Sequence, residues 1–438
     1  MQRRLRGTVL DLRRENRAVV LRSLYFSRPA SRHDLSAATG LSVASVTNVI
    51  RDLLDEGIVT EAGSEDSDGG RPRVLLDINP DYSYVIGVDI GETRIRVNLF
   101  DLAMTERAKA EYPLNPAEHE VDEVVRGIAS GLTAVLADGG IDQAAVLGVG
   151  IGVPGVVEQG PEILVHGQTY HWDAVPLERL LREHTALPLR FENCAKTMGQ
   201  AELWAGGGHS ARNTAVVLIG SGVGASLVSC CSTCQGTTAS AAEWGHTTVV
   251  LEGRRCRCGS AGCLEAYVGA EGVLDRYGSP AAPSAEDEES MLAALIATAD
   301  SSPAADAVLA KTAEYLGVGI GSLINMFNPE RVIIGGWAGL LLGGRLLPAI
   351  RESARRNSLR HLFAAALIEL GQLGPEAVTF GAATLPVEDF LNGATRPPLR
   401  TPGGGGDNAG VLGDGAFDAI RRRRHAAGDG GPVRSPSR

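Results

Sequence analysis

No apolar stretch in this chain reaches the ~20 residues that a helix needs to cross a bilayer. The longest, near 144–157 and 332–344, are broken by Gly or Pro. The opening Met1-Gln-Arg-Arg-Leu-Arg-Gly7 leads into the charged segment 11–16 and never into an apolar h-region. No secretory signal is read, and a soluble, cytoplasmic protein is expected. The low hydrophobicity of disordered chains and the repetition of collagen are also missing, with 44% of residues hydrophobic and 21% charged. At 438 residues the chain has room for two or three domains and a sizeable core, so stapling by disulfides is not required. Seven Cys, an odd number for a reducing compartment, favour metal over disulfides wherever their spacing is close.

The charge is unevenly spread. Residues 1–60 hold ten Arg and six acids, and residues 393–438 hold eight Arg and four Asp, which leaves −19 on the stretch between them for a total of −11. A basic first module on an acidic body suits a protein that meets nucleic acid at one end, because phosphate repels the rest. Chance surface composition is the plainer reading. Residues 393–438 contain eleven Gly and five Pro, the composition of a disordered tail. The Arg run 421–424 within it reads as solvated charge in preference to a specific nucleic-acid contact.

Between residues 12 and 57 the apolar periodicity predicts three short helices. The first, 16–25, turns Val20, Leu21 and Leu24 inward; the second, 32–39, follows Ser31 as N-cap with Leu35 and Ala38 inward. After a turn at Gly40-Leu41, Ser42 caps a third helix with Val46, Ile50, Leu53 and Leu54 on one face. Its other face carries Ser45, Thr47, Asn48 and Arg51, whose hydroxyl, amide and guanidinium groups can reach base edges in the major groove. Strands at 58–60 and 73–78 flank a loop at 61–70, and Gly69-Gly-Arg-Pro-Arg73 would aim Arg71 and Arg73 at a minor groove. The expectation is a winged helix-turn-helix over 12–80 that binds operator DNA. A three-helix packing unit with an ordinary Gly-rich turn is the alternative.

From residue 84 buried strands (85–90, 95–100, 146–153, 214–219, 331–334) alternate with helices (121–137, 177–184, 305–327, 346–353), which predicts an α/β body. The low-complexity stretch 278–290 is expected to be a surface loop. Three Gly turns follow strands: Asp89-Ile-Gly91-Glu-Thr93, Gly220-Ser-Gly222-Val-Gly224 and Gly335-Gly336. Backbone N–H groups and a carboxylate in such turns can hold phosphate and Mg²⁺; structural glycines at tight strand exits are an equal reading. His246 followed by Cys256-Arg-Cys258-Gly-Ser-Ala-Gly-Cys263 matches a closed Cys₃His zinc site, with Gly259 and Gly262 folding the chain back. Four protein ligands leave no open position, so the metal is expected to be structural; merely buried thiols are the alternative. Glu243 and Glu265 flank the site, and the pinned loop could present them with His246 to one polar ligand.

These motifs in this order, with Gly148–Gly155 (GVGIGVPG), Asn193-Cys-Ala195, Glu243-Trp-Gly-His246 and Cys256–Glu265 (CRCGSAGCLE), resemble the ROK family of sugar-responsive repressors and sugar kinases. The resemblance spans about residues 12–392. It implies a winged helix-turn-helix followed, over 84–392, by a two-lobed actin/hexokinase-like (ribonuclease H-like) ATPase fold. Sugar would lie in the cleft on Asn193, Glu243, His246 and Glu265. A nucleotide, where one is bound, would lie on Asp89, Gly91, Thr93, Gly220, Gly222, Gly335 and Gly336.

The departures from the family pattern bear on activity. Kinases of the family have Asn-Asp-Ala, with the Asp as catalytic base; here Cys194 stands in its place, so no catalytic residue is assigned. A usual Asn-Leu-x-Trp reads Thr169-Tyr-His-Trp172, Glu92 replaces a Gly in the phosphate turn, and Trp337 follows Gly336 where a third Gly is usual. Cys230, Cys231 and Cys234 are read as reduced bystanders in a hairpin. The resulting expectation is a sugar-responsive transcriptional regulator, a repressor of carbohydrate genes with a degenerate kinase site and a structural zinc ion. Its partners would be operator DNA and a sugar or sugar phosphate, as a homodimer or homotetramer with no membrane role. The alternative is an ATP-dependent, glucokinase-like sugar kinase.

Overall fold

Two serines set the geometry of the first module. Ser31 accepts the Asp34 N–H while the Asp34 carboxylate accepts the Ser31 N–H, and Ser42 accepts the N–H of Ser45. The computed structural model describes residues 9–65, 72–92, 94–114, 120–230, 232–278 and 285–393. It begins with α1 (Val9–Ser27), β1 (Ala30–Ser31), α2 (Arg32–Thr39), α3 (Val43–Asp55), β2 (Val59–Glu65) and β3 (Arg73–Ile78). Gly40, at φ 69°, ends α2 in the left-handed region and turns the chain into α3. Val46, Ile50 and Leu53 are buried along one side of α3, each stabilising the module by about 1.5–3 kcal/mol. The strands pair antiparallel in the order β1-β3-β2, so a small three-stranded sheet stands beside the three helices.

The module differs from expectation at its edges. Helix α1 starts at Val9 and not at residue 16, because the good helix formers Leu, Arg and Glu of 10–15 extend it. Strand β2 runs to Glu65, into the stretch read as loop, since the β3 partner continues opposite it through Arg73. Strand β1 was not foreseen; two residues carry no period. Gly69, Gly70 and Arg71 lie outside the described residues.

The body is one topology used twice. The first lobe contains β4 (Tyr84–Ile90), β5 (Arg94–Asp101), β6 (Glu106–Pro113), α4 (Val121–Gly139), β7 (Val146–Val153), the small strands β8 (Val156–Glu158), β9 (Leu164–Gly167) and β10 (Trp172–Val175), α5 (Leu177–Leu181) and β11 (Leu189–Asn193). After α6 (Cys194–Trp204), the second contains β12 (Asn213–Ile219), β13 (Val223–Ser229), β14 (Ser232–Thr233), α7 (Glu265–Val268), α8 (Ala270–Tyr277), α9 (Ala285–Thr298), α10 (Pro303–Phe327), β15 (Arg331–Gly335), α11 (Trp337–Arg356), α12 (Arg360–Ala365) and β16 (Leu367–Leu370), and α13 (Ala377–Leu391) follows. The main sheets run β6-β5-β4-β7-β11 and β14-β13-β12-β15-β16. In each, the first strand is central, two antiparallel strands extend to one edge and two parallel strands to the other. This repeat is the actin/hexokinase-like fold, and the carboxyl ends of the parallel strands open onto the crevice where such sheets bind ligands.

Helix α13 crosses back to the first lobe and lies on β4 and β7. It approaches so closely that a Cβ at Gly87 would collide with the Thr379 carbonyl and one at Gly150 with that of Ala382. Glycines in the apolar runs of these strands therefore serve packing. Against the expectation that no stretch is long enough, helix α10 is long and apolar enough to cross a bilayer by length and composition, but its Leu309, Ala313, Leu316, Ile320 and Ile324 are buried in the second lobe's core. The stretch 278–290 is not wholly a loop, because α9 begins at Ala285 and buries Glu288; residues 279–284 lie outside the description. The tail read at 393–438 lies, beyond Gly393, outside it too.

The first module shares its core with the body. Val20, Leu21, Leu24 and Tyr25 of α1 belong to one buried cluster with Met198, Ala201, Val387 and Phe390. The Tyr25 hydroxyl donates to the Leu102 carbonyl at 2.9 Å, Arg28 donates to that of Ala103 at 3.0 Å, and Arg22 forms a two-pronged pair with Glu388 at 3.2 Å.

Candidate functional site

Strand ends and the turns that follow them make the walls of a cleft of about 160 Å³ between the lobes. Asp89 lies at the end of β4 and Gly91 follows it, Asn193 and Cys194 join β11 to α6, Gly220 and Gly222 follow β12, and Gly336 follows β15. Glu243, His246 and Glu265 complete the lining from the second lobe, so most of the residues read from the sequence are brought together. Gly335 is not on that wall; it is buried, and a Cβ there would meet the sulfur of Met198. Thr93 lies outside the described residues.

Asp89 is buried, and burial raises its pKa against the pull of Arg96, whose Nη1 is 3.4 Å away. The Cys194 thiol donates to Asp89 Oδ1 at 3.7 Å. Burial first, then the charges of Asp89 and Glu92, push that thiol well above its usual value. It is therefore a protonated donor and not a base. Asn193 has a structural duty: its Oδ1 accepts the N–H groups of Ala195 and Lys196 as the N-cap of α6, and its Nδ2 donates to the Gly155 carbonyl. One amide N–H remains for a ligand. Glu265 Oε2 accepts the Val223 N–H at 3.0 Å, which fixes its carboxylate against the Gly220–Gly224 turn.

Sequence reasoning missed Arg257. Its Nη1 lies 3.0 Å from Glu92 Oε2 and its Nε 3.7 Å from Glu265 Oε1. Glu92 Oε1 also accepts from Thr169 Oγ1 at 3.2 Å, and the Tyr170 hydroxyl donates to the Gly91 carbonyl at 2.7 Å. The segment that departs from the family pattern thus braces the first turn. Ser221 donates to the buried carboxyl of Glu288, whose pKa burial raises to about 7. Residues 165 positions apart in sequence, as Glu92 and Arg257 are, leave no local signal of their pairing.

His246, Cys256, Cys258 and Cys263 place their ligand atoms within 4.8 Å of one another. His246 Nδ1 is 3.7 Å from Cys256 Sγ, and the sulfurs of Cys258 and Cys263 are 3.7 Å apart. With Zn–S bonds near 2.3 Å, neighbouring corners of a tetrahedron lie about 3.7–3.8 Å apart, so the donor set fits zinc. Gly259 and Gly262, at φ 89° and 82°, make the fold-back. Cys230 is exposed and Cys234 partly buried in the β13–β14 hairpin, and Cys231 lies outside the described residues.

On α3, Thr47, Asn48 and Arg51 are exposed, and Arg51 Nη2 donates to Asn48 Oδ1 at 3.2 Å. Ser45 is half-buried, its hydroxyl 2.9 Å from that of Ser42 and thus engaged in the helix cap. Arg73 is exposed beside Asp34, 4.0 Å away.

Among known proteins, the chain is similar to the xylose repressor of Caldicellulosiruptor bescii, 29% identical over 393 residues, 87% of this chain and 97% of that protein. It is also similar to a glucokinase of Halalkalibacterium halodurans, 31% identical over 314 residues, 69% of this chain and 94% of that enzyme. Among solved structures, a ROK family transcriptional regulator homologous to the Escherichia coli MLC protein superposes with a TM-score of 0.71 at 25% identity, covering 87% of this chain and 98% of its own. The ROK family domain itself matches residues 85–388, both lobes and the loop that carries the cysteines. With that match over well more than half its length, the chain belongs to the ROK family.

Proposed function

We propose that this protein is a sugar-responsive DNA-binding transcriptional regulator, a repressor of carbohydrate uptake or metabolism genes, with a kinase-like cleft that no longer transfers phosphate. The observation that carries the reading is helix α6. Its N-cap Asn193 and first residue Cys194 line the cleft, and its last, Trp204, packs on Tyr25 and Phe26 of α1 in the DNA-facing module. A sugar seated in the cleft can therefore bias the module through one rigid element. The extent of similarity agrees. Even if all residues after 388 are counted, a 393-residue match to a repressor must take in part of residues 1–84, whereas 314 residues of glucokinase match need not.

In this reading residues 12–80 form the operator-binding domain and 84–392 the sensing domain. Thr47, Asn48 and Arg51 read bases, while Arg71 and Arg73 serve the wing; Ser45 supports the cap. Glu243, His246, Glu265 and the free N–H of Asn193 receive sugar hydroxyls. Zinc on His246, Cys256, Cys258 and Cys263 would hold the loop that carries these groups in one conformation. The protein works in the cytoplasm as a homodimer or homotetramer, because helix-turn-helix proteins read paired half-sites. The test is fluorescence anisotropy of the full chain on its operator with and without sugar. A sugar that lowers operator affinity supports the reading; a purified chain that turns over ATP several times per second with sugar would replace it with the kinase.

A further inference from the structure

The turn that should receive phosphate already holds a carboxylate. Glu92 leaves the first lobe, pairs in two-pronged fashion with Arg257 of the second lobe at 3.0 and 3.4 Å, and presses on the second Gly turn: a Cβ at Gly222 would lie 2.7 Å from Glu92 Oε1. That turn's backbone is where a phosphate would need close approach. Arg257 is the guanidinium that could have met the phosphate. It is instead shared among Glu92, Glu265 at 3.7 Å and Glu271 at 3.7 Å, so that one guanidinium faces three carboxylates and this group of four side chains keeps two net negative charges.

We propose that the Glu92–Arg257 pair is a built-in plug joining the lobes across the phosphate end of the cleft, so that the effector is an uncharged monosaccharide and both sugar phosphates and nucleotides are rejected. This rests on the reading of the cleft as the effector site. The remaining volume supports it, because about 160 Å³ is below the ~300–1,000 Å³ of pockets that take drug-sized ligands. It holds one small polar molecule and not a sugar with a nucleotide beside it. Carboxylates at the sugar end are no obstacle to neutral hydroxyls, which donate to them, whereas a phosphate dianion meets like charge.

Two measurements on the full chain test the plug separately. Calorimetric titration compares D-xylose, D-glucose and N-acetylglucosamine with the phosphate esters of the same sugars. The expected result is that one uncharged sugar binds and its phosphate ester binds at least ten times more weakly; an ester that binds as tightly overturns the plug while leaving a sugar-responsive regulator standing. The second measurement needs no sugar: Glu92→Gln should release Arg257 and raise affinity for AMPPNP roughly tenfold or more, and Glu92→Gln with Arg257→Ala should lose that gain. No gain in a folded Glu92→Gln protein, checked by its unchanged thermal midpoint or its zinc content, overturns the plug. If no sugar of either kind binds or releases operator, the regulator reading fails, and the AMPPNP arm still decides the plug.

Discussion

Phe26 and Trp204 meet edge to face, with ring centroids 5.0 Å apart and planes at 80°, and Trp204 makes a second such contact with Tyr25 at 5.5 Å. The pair joins α1 of the first module to the end of a helix whose beginning lines the cleft. Arg22 and Glu388 add a second tie between the same two bodies on the α13 side.

Truncating this contact should separate sensing from output. Trp204→Ala is expected to cost about 2–4 kcal/mol of stability, from lost burial and ring contacts. Sugar affinity by calorimetry should change little, while the sugar-induced drop in operator affinity should shrink. A variant that responds like the parent would remove α6 from the route; equal loss of sugar binding would make Trp204 a packing residue only.

The exposed face of α3 makes a separate prediction. Arg51→Ala should weaken operator binding by roughly 1–3 kcal/mol, relaxing base preference if the guanidinium reads a base and weakening all sequences alike if it touches phosphate. Ser45→Ala should act through the helix cap instead, with a stability loss of at most about 1 kcal/mol and unchanged base preference. Anisotropy on single-base operator variants, beside thermal melts, distinguishes the two.

Cys258→Ser should abolish binding of one zinc per chain, measured by metal analysis, and weaken sugar binding. Cys256 lies 3.5 Å from Glu265, so loosening the loop displaces the carboxylate that faces the ligand. Purified parent protein that contains no zinc would overturn this site.

Strong local signals made much of the fold legible. The caps at Ser31 and Ser42, the Gly40 turn and the charge-free, wholly buried run of β7 give α2, α3 and β7 their observed places. Helices α6 and α13 gave no such signal: both are buried on almost all sides by small residues, so no 3.6-residue apolar stripe distinguishes them. Helix α11 is expected from the sequence only over its later part, because Gly339, Gly343 and Gly344 interrupt the helical pattern before residue 346. In the site, the His and Cys residues of the candidate metal cluster lie close in sequence and are readable there. Arg257 was visible as the residue between two cysteines, but its meeting with Glu92 is a product of lobe packing. The charges that act on Cys194 come from Asp89 and Glu92, about a hundred positions away in sequence.

Glu288 predicts a pH dependence. Burial raises its pKa from 4.5 to about 7, with Glu92 and Glu271 adding to the rise and the Ser221 hydroxyl and Arg257 opposing it. Below about pH 4.5 both folded and unfolded chains hold the proton. Between 4.5 and 7 the folded chain keeps a proton that the unfolded chain has lost, so stability falls as pH rises, and above 7 the loss is complete. Glu288→Gln removes the ionising group, so its advantage over the parent should grow across this window to on the order of 1–3 kcal/mol. Chemical denaturation at pH 5 and pH 8 reads the difference; an equal effect at both would show that Glu288 does not change its proton on unfolding.

Cys194→Asp tests whether a missing base is the only thing that separates this cleft from a kinase. A positioned general base contributes about 10²–10⁴-fold, and family kinases carry Asp here by resemblance. The new carboxylate would stand where the thiol now donates to Asp89, so two acids would share one buried site and one would hold its proton more tightly than usual. The other can accept a proton from a sugar hydroxyl. Yet Glu92, tied to Arg257 and pressed on the Gly222 turn, still fills the space that the transferred phosphate requires. Sugar-dependent ATP turnover should therefore stay far below the roughly 1–100 s⁻¹ of kinases in Cys194→Asp alone, and rise only when Glu92→Gly is added. Rapid turnover in the single variant would mean that the phosphate end is open and that the ion pair yields to nucleotide.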